Sequence, residues 1–140
     1  MPAPDKAPAD PATEPGTDPG AALLAAGHAV LPGLDFASGG AALPEGAVPA
    51  LEALAGWLAA HPQARIALVG HTDASGPAAA NLVLSRARAE AVRRRLAALG
   101  VAPERMRAEG VGSLAPRATN RTPEGRAANR RVEAVLDAGP

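Results

Sequence analysis

Apolar positions recur at helical spacing in two stretches of this chain and form short runs or alternations in four others. Val48, Leu51, Leu54, Ala55 and Leu58 predict a helix opened by Pro44-Glu45 and closed by Pro62, with Pro49 moving its effective start toward Val48. A longer periodic stretch predicts a second helix over residues 78–99, stopped by Gly100. Residues 29–36 (AVLPGLDF) read as a first strand, restricted to a sheet edge by Pro32 and Gly33. Ile66, Leu68 and Val69 mark a strand over 65–70, and residues 105–110 alternate as a third. Val132, Ala134 and Leu136 alternate along a last strand over 131–136. Gly, Pro, Asn and Thr dominate residues 111–126, which read as loop. The order β-α-β-α-β-loop-β is that of an α/β (α+β) sandwich with its helices on one face.

Composition changes this picture at the N-terminal end. Residues 1–20 hold six of the fifteen prolines among small and acidic residues, too little apolar surface to offset the entropy of ordering them. We expect a disordered Pro/Ala-rich linker over residues 1–27 and one folded domain over 28–138. Apolar residues make up 47% of the 140, but alanine dominates them and there is one Trp and one Phe. The core is therefore assembled from Leu, Val and Ala. With no cysteine, disulfides, thiolate metal sites and thiol-linked lipid are excluded for these residues. The start lacks the basic-then-apolar profile of a signal peptide, and the apolar run at 21–31 is about half of what a membrane-spanning helix needs. The expectation is a piece of a longer exported protein, its signal and anchor encoded elsewhere.

The formal net charge of zero conceals a division. Residues 1–62 carry seven acids and one lysine, whereas residues 63–140 carry thirteen arginines against seven acids. An arginine-rich half points to an anionic or carboxylate-bearing partner. The scarcity of aromatic rings removes the stacking platforms that single-stranded nucleic acid requires.

One arginine is out of place on the long helix. At 100° per residue, Leu84, Ala91, Val92, Leu96 and Leu99 share one side, while Arg86, Glu90, Arg93 and Arg94 face away. Arg88 lies in the middle of the apolar stripe, with Asn81 in the same direction. Its stem can cover apolar surface while the head reaches water, the reading adopted for Arg95. The alternative is a fixed anionic partner, which a guanidinium on a packed face normally has. Arg88 sits in the first half of its helix, near the preceding loop, and that loop carries Asp73. A carboxylate that accepts an ammonium, beside a guanidinium that clamps a carboxylate, forms a receptor for a zwitterion. Taken alone, Asp73 reads as a turn residue.

Other motifs carry less. His28, His61, His71 and Asp73 show no metal-ligand spacing, so no metal or cofactor is expected. No G-x-S-x-G elbow surrounds Ser75, Ser85 or Ser113. Gly110-Val111-Gly112 is followed by Pro116 rather than a helix start, unlike a dinucleotide loop. Arg93-Arg94-Arg95 reads as a solvated helix face. Arg130 and Arg131 read as ion-pair partners for Glu133 and Asp137. No catalytic constellation results, and the chain is expected not to be an enzyme.

Taken together, Gly70-His71-Thr72-Asp73, Gly76, Asn81, Leu84-Ser85, Arg88-Ala89, Gly110-x-Gly112, Pro116, Asn120, Gly125-Arg126 and Asn129-Arg130-Arg131-Val132 resemble the OmpA-like peptidoglycan-binding domain. Leu34-Asp35-Phe36 extends the resemblance to roughly residues 29–137. It implies a βαβαββ-type fold with a mixed sheet and non-covalent binding of peptidoglycan in the periplasm, where such domains anchor an outer membrane or envelope complex to the cell wall. It further implies that Asp73 takes the ammonium of diaminopimelate in the stem peptide and Arg88 its carboxylate, with Thr72, Asn81 and the loop after Phe36 shaping the pocket. The family includes outer-membrane barrels, peptidoglycan-associated lipoproteins and flagellar stator subunits. Two positions depart from its pattern: Ala87 stands where many relatives have a first arginine, and Ala80 where an aromatic residue is frequent. The competing expectation is an OmpA-like scaffold that has lost wall binding.

Overall fold

A computed structural model describes residues 18–138 of the chain. Four helices, α1 (Pro19–Ala26), α2 (Pro49–Ala60), α3 (Ala78–Ala98) and α4 (Pro123–Asn129), accompany four strands, β1 (His28–Val30), β2 (Arg65–His71), β3 (Met106–Gly110) and β4 (Arg131–Ala138). The strands form one sheet in the order β1-β4-β2-β3. β4 runs antiparallel to both β1 and β2, and β2 runs parallel to β3 across the α3 crossover. The sheet is thus mixed, as expected.

Period-2 alternation divides the sheet faces. Ile66, Leu68, Val132 and Ala134 turn into a core completed by Leu51, Leu54 and Leu58 of α2 and by Val92 and Leu96 of α3. The opposite face carries charge ladders, with Arg107 bonded to Asp137 (2.7 Å) and to Glu109 (2.9 Å), and Arg131 to Glu133 (2.7 Å). Among the described residues no helix is long and apolar enough to cross a membrane.

Three expectations are corrected. The first strand stops at Val30 rather than Phe36, because Pro32 has no N–H to donate while Gly33 and Asp35 adopt left-handed backbone (φ 83° and 51°). Residues 18–27 of the expected linker are folded: α1 occupies 19–26, with Asp18 accepting the Gly20 N–H (3.1 Å) and Gly27 closing it at φ 82°. Leu23 of α1 is buried, and Gly20 lies so close to Trp57 that a Cβ there would overlap the indole. Residues 1–17 lie outside the described residues. α2 begins at Pro49 with Val48 as its N-cap, the later start that Pro49 implied. Last, the expected loop over 111–126 contains the start of α4, capped by Thr122, whose hydroxyl accepts the Gly125 N–H (3.0 Å), with Pro123 at the first helical position.

Candidate ligand-binding site

The site forms where β2 ends and α3 begins. The Thr72 N–H donates to the Gly112 carbonyl (2.9 Å), which ties the end of β2 to the segment after β3 and fixes the chain just before Asp73. One Asp73 oxygen accepts the Ser75 N–H (2.9 Å) in a local turn. Asn81, on the first turn of α3, donates to the Ser75 carbonyl (3.0 Å) and pins that turn to the helix. From the other side, Asn120 accepts the Ala74 N–H (3.1 Å) and is itself held by the amide of Asn129 (2.9 Å). Asp73 therefore sits in a loop fixed at both flanks.

Arg88 is two turns down α3 and has no exposed surface. Its Nε donates to the Gly40 carbonyl (2.7 Å), one Nη to His71 (3.0 Å) and the other to Ala37 (3.0 Å). The guanidinium lies 5.0 Å from the centre of the Phe36 ring, a cation–π distance. Burial, reinforced by the charge of Arg130, pulls its pKa down to about 10, with Asp73 opposing. It remains charged at neutral pH. The helix face that carries it is Asn81, Ser85, Arg88, Ala89, Val92 and Leu96, while Leu99 is exposed and Leu84 only half-buried. Arg95 donates to the carbonyls of Gly46 (3.0 Å) and Pro44 (2.9 Å), a more specific role than snorkelling to water.

All five residues singled out from the sequence, Asp73, Arg88, Thr72, Asn81 and Phe36, are buried within this cluster. Arg130 was not foreseen as a member. It donates through Nη1 to the second Asp73 oxygen (3.0 Å) and through Nε to the Phe36 carbonyl (2.9 Å). Only Arg131 forms the ion pair expected of it, with Glu133, and Asp137 pairs with Arg107 instead. Side-chain parity was the available signal, since Arg130 cannot share the sheet face of Arg131, Glu133 and Asp137. Burial works to raise the Asp73 pKa, but the Ser75 N–H and the Arg130 guanidinium outweigh it and hold the carboxyl below its usual value. Two of its roughly four lone-pair directions are taken, and the rest can accept further donors.

His71 lends its carbonyl to Arg88, while its ring lies beside Arg131 and Glu133 on the other face of the sheet. Both ring nitrogens of His71 and the Thr72 hydroxyl are buried without a hydrogen-bond partner among the described residues. Burial and the nearby Arg131 charge, opposed by Glu133, lower the His71 pKa from 6.5 to about 4. The folded state thus resists a proton that the unfolded chain accepts near pH 6.5. Stability is full above that value and declines as pH falls toward 4. Between pH 7.5 and 5.0 the expected loss is about 2 kcal/mol. Urea unfolding at the two pH values measures it, and His71→Leu should remove most of the slope. An unchanged slope in the variant would assign the dependence to other groups. Among the described residues no three His, Cys, Asp or Glu side chains gather as a metal site.

The sequence matches the model of the OmpA family over residues 35–130, a range that spans every side chain of this cluster. Peptidoglycan-binding protein ArfA of Mycobacterium tuberculosis is 42% identical over 124 residues, covering 88% of this chain and 38% of that protein. Outer membrane porin F of Pseudomonas fluorescens is 47% identical over 85 residues, covering 61% of this chain and 26% of that protein. The chain spans well under half the length of these curated relatives. Among solved structures, the peptidoglycan-associated lipoprotein from Burkholderia pseudomallei superposes with a TM-score of 0.68 at 34% identity, covering 91% of this chain and 100% of that one. The periplasmic domain of Helicobacter pylori MotB gives a TM-score of 0.68 at 26% identity, covering 79% and 75%.

Proposed function

Because the chain belongs to the OmpA family, we propose that it binds peptidoglycan without making or breaking a bond, and so holds an envelope component to the cell wall in the periplasm. The observation that carries this reading is a carboxylate and a guanidinium gathered at one loop, both almost fully buried and neither neutralised by the other through a direct bond. Relatives bearing peptidoglycan in their names support the class of ligand. Within it, we assign the free zwitterionic end of diaminopimelate to Asp73 and Arg88. The ammonium takes the open lone pairs of Asp73 alongside Arg130.

The carboxylate reaches Arg88 by displacing the 37–40 segment. Ala37, Ser38 and Gly39 are exposed, and the Ala37 and Gly40 carbonyls occupy the guanidinium as stand-ins for a carboxylate's two oxygens. Exchanging two neutral carbonyls for one carboxylate adds charge–charge attraction and a bidentate fork to bonds whose donor is already ionised. Diaminopimelate then differs from lysine by the side-chain carboxylate that Arg88 clamps, so selectivity follows from the same contact.

Asp73→Asn is the cleanest test, because the amide oxygen can still accept the Ser75 N–H. Co-sedimentation with diaminopimelate-type sacculi and titration with a soluble muropeptide should both show a loss of about 10- to 100-fold. Wild-type protein should prefer diaminopimelate-type over lysine-type wall. Equal pelleting of the variant would reduce the interaction to general charge attraction by the arginines. Absence of binding by wild type would leave a scaffold with the same fold, a reading to which the complete burial of Arg88 lends weight.

A further inference from the structure

A second concavity adjoins the site through shared walls. It is a cleft of about 410 Å³ lined by Asp35, Phe36 and Ala37 on one side and by Arg117, Arg130 and Arg131 on the other, among others. Phe36 and Ala37 separate it from Arg88, and Arg130 separates it from Asp73. The three arginines are not equivalent. Each nitrogen of Arg131 already has a partner, in Glu133 and the carbonyls of Asn129 and Ala115. Arg130 has one Nη without a partner among the described residues. The Arg117 side chain is exposed and makes no hydrogen bond or ion pair among them, although its backbone N–H is fixed by Asn129 (2.8 Å). A guanidinium with idle donors on an anchored backbone is arranged for an external anion.

The charge count sharpens this. Before a ligand arrives, Asp73 is paired with Arg130, and Arg88, Arg117 and Arg130 together outnumber Asp35 and Asp73 by one positive charge around the site and the cleft. A zwitterion on Asp73 and Arg88 adds no net charge, so that one positive charge stays uncompensated with the ligand bound. The ligand that supplies the ammonium is then favoured if it also carries an anion a few bonds away. In a stem peptide, the residue preceding the diamino acid is a γ-linked D-glutamate whose α-carboxylate is free or amidated.

We propose that this cleft is a second carboxylate subsite, in which Arg117 and the idle Nη of Arg130 hold the α-carboxylate of the γ-D-glutamyl residue. The assignment rests on the zwitterion reading of Asp73 and Arg88 and adds to it a sensitivity to one modification of the wall. Amidation of that carboxylate removes the charge and one acceptor, so the domain discriminates between amidated and unamidated peptidoglycan.

Calorimetric titration with two muropeptides ending in meso-diaminopimelate, one with the D-glutamyl carboxylate free and one with it amidated, tests the subsite. Wild type should bind the free acid about 10-fold more tightly. Arg117→Ala, a change at an exposed side chain, should lower affinity for the free acid to that for the amide and abolish the discrimination. Equal affinity of wild type for both peptides overturns the subsite, as does discrimination that survives in Arg117→Ala. If Asp73→Asn abolishes binding while amidation has no effect, the zwitterion site stands and the subsite falls. If wild type binds neither peptide, both fall together.

Discussion

Replacing Arg88 with methionine is expected to destabilise the fold by about 3–5 kcal/mol, before any ligand is considered. Methionine matches the length of the stem and fills the same space, so the loss isolates the guanidinium. Without it, the carbonyls of Gly40, His71 and Ala37 lose their donors in a buried site, each at a cost of about 1–3 kcal/mol where water cannot replace the bond. The contact with the Phe36 ring disappears as well. Relaxation of the exposed 37–40 segment recovers part of this sum, which is why the total stays below three full penalties. Urea unfolding at pH 7 with an unchanged m-value measures the effect. Arg88→Lys should fall between, because an ammonium reaches one or two of the three carbonyls but has no planar fork to span them. A loss under 1 kcal/mol for the methionine variant would show that the guanidinium does not tie the 37–40 segment to β2 and α3. For binding studies the consequence is practical: an Arg88 variant loses three buried bonds along with any ligand contact, whereas Asp73→Asn keeps the Ser75 bond and gives up the Arg130 ion pair, so both variants need their stability measured beside their affinity.

The parts of the fold legible in the sequence are those where local pattern and burial agree. β2, α3, β3 and β4 fall within a residue or two of their expected positions, because each carries its own apolar periodicity and ends at Gly, Pro or a polar loop. α1 escaped because proline content was weighed over capping, yet Asp18-Pro19 before it and Gly27 after it are start and stop signals at the right spacing. α4 escaped for a similar reason, its seven residues being too few for periodicity and its evidence confined to Thr122-Pro123. The first strand was drawn too long because apolar content at 31–36 serves core burial of Leu31, Leu34 and Phe36 from irregular backbone, with no ladder behind it.

The candidate site was legible to a different degree. Arg88 announced itself as a charge on a packed face, and Asp73 as the acid in the loop nearest to it. Direction on a helix can be read from sequence. Partnership cannot, because it depends on which loop crosses above. Thus the carbonyls of residues 37 and 40, some fifty positions away, were invisible, and so was the pairing of Arg130 with Asp73 across 57 positions. The charged groups are consequently better satisfied before ligand arrives than a sequence reading supposes. On the proposed assignment, a ligand would exchange partners at Asp73 and Arg88 and not fill a vacancy.

Gly70→Ala is expected to be among the most damaging single-methyl changes available, costing about 3 kcal/mol or more. Gly70 lies near the end of β2, paired with Gly110 of β3 and Val132 of β4. Its missing side chain is where α3 crosses: a Cβ there would overlap the backbone carbonyl of Ser85 and stand 2.7 Å from its carbonyl carbon. Backbone, unlike a side-chain tip, has no rotamer to yield. Gly110 meets the same turn, where a Cβ would lie 2.9 Å from the Arg86 Cα, so two neighbouring glycines make a flat bed for the helix. The closeness has a functional reach. Ser85 is three residues before Arg88, and His71, next to Gly70, accepts one of the Arg88 bonds at 3.0 Å. Lifting α3 off the sheet therefore lengthens that bond and moves the guanidinium relative to Asp73. Gly56 in α2 provides the control, since a Cβ there meets nothing within 4 Å and alanine should stabilise the helix by about 0.5–1 kcal/mol. Chemical unfolding of both variants, with muropeptide affinity measured on the folded fraction, separates the outcomes. A Gly70→Ala protein as stable as wild type would mean that α3 slides without penalty, and the glycine bed would no longer explain how Arg88 is positioned.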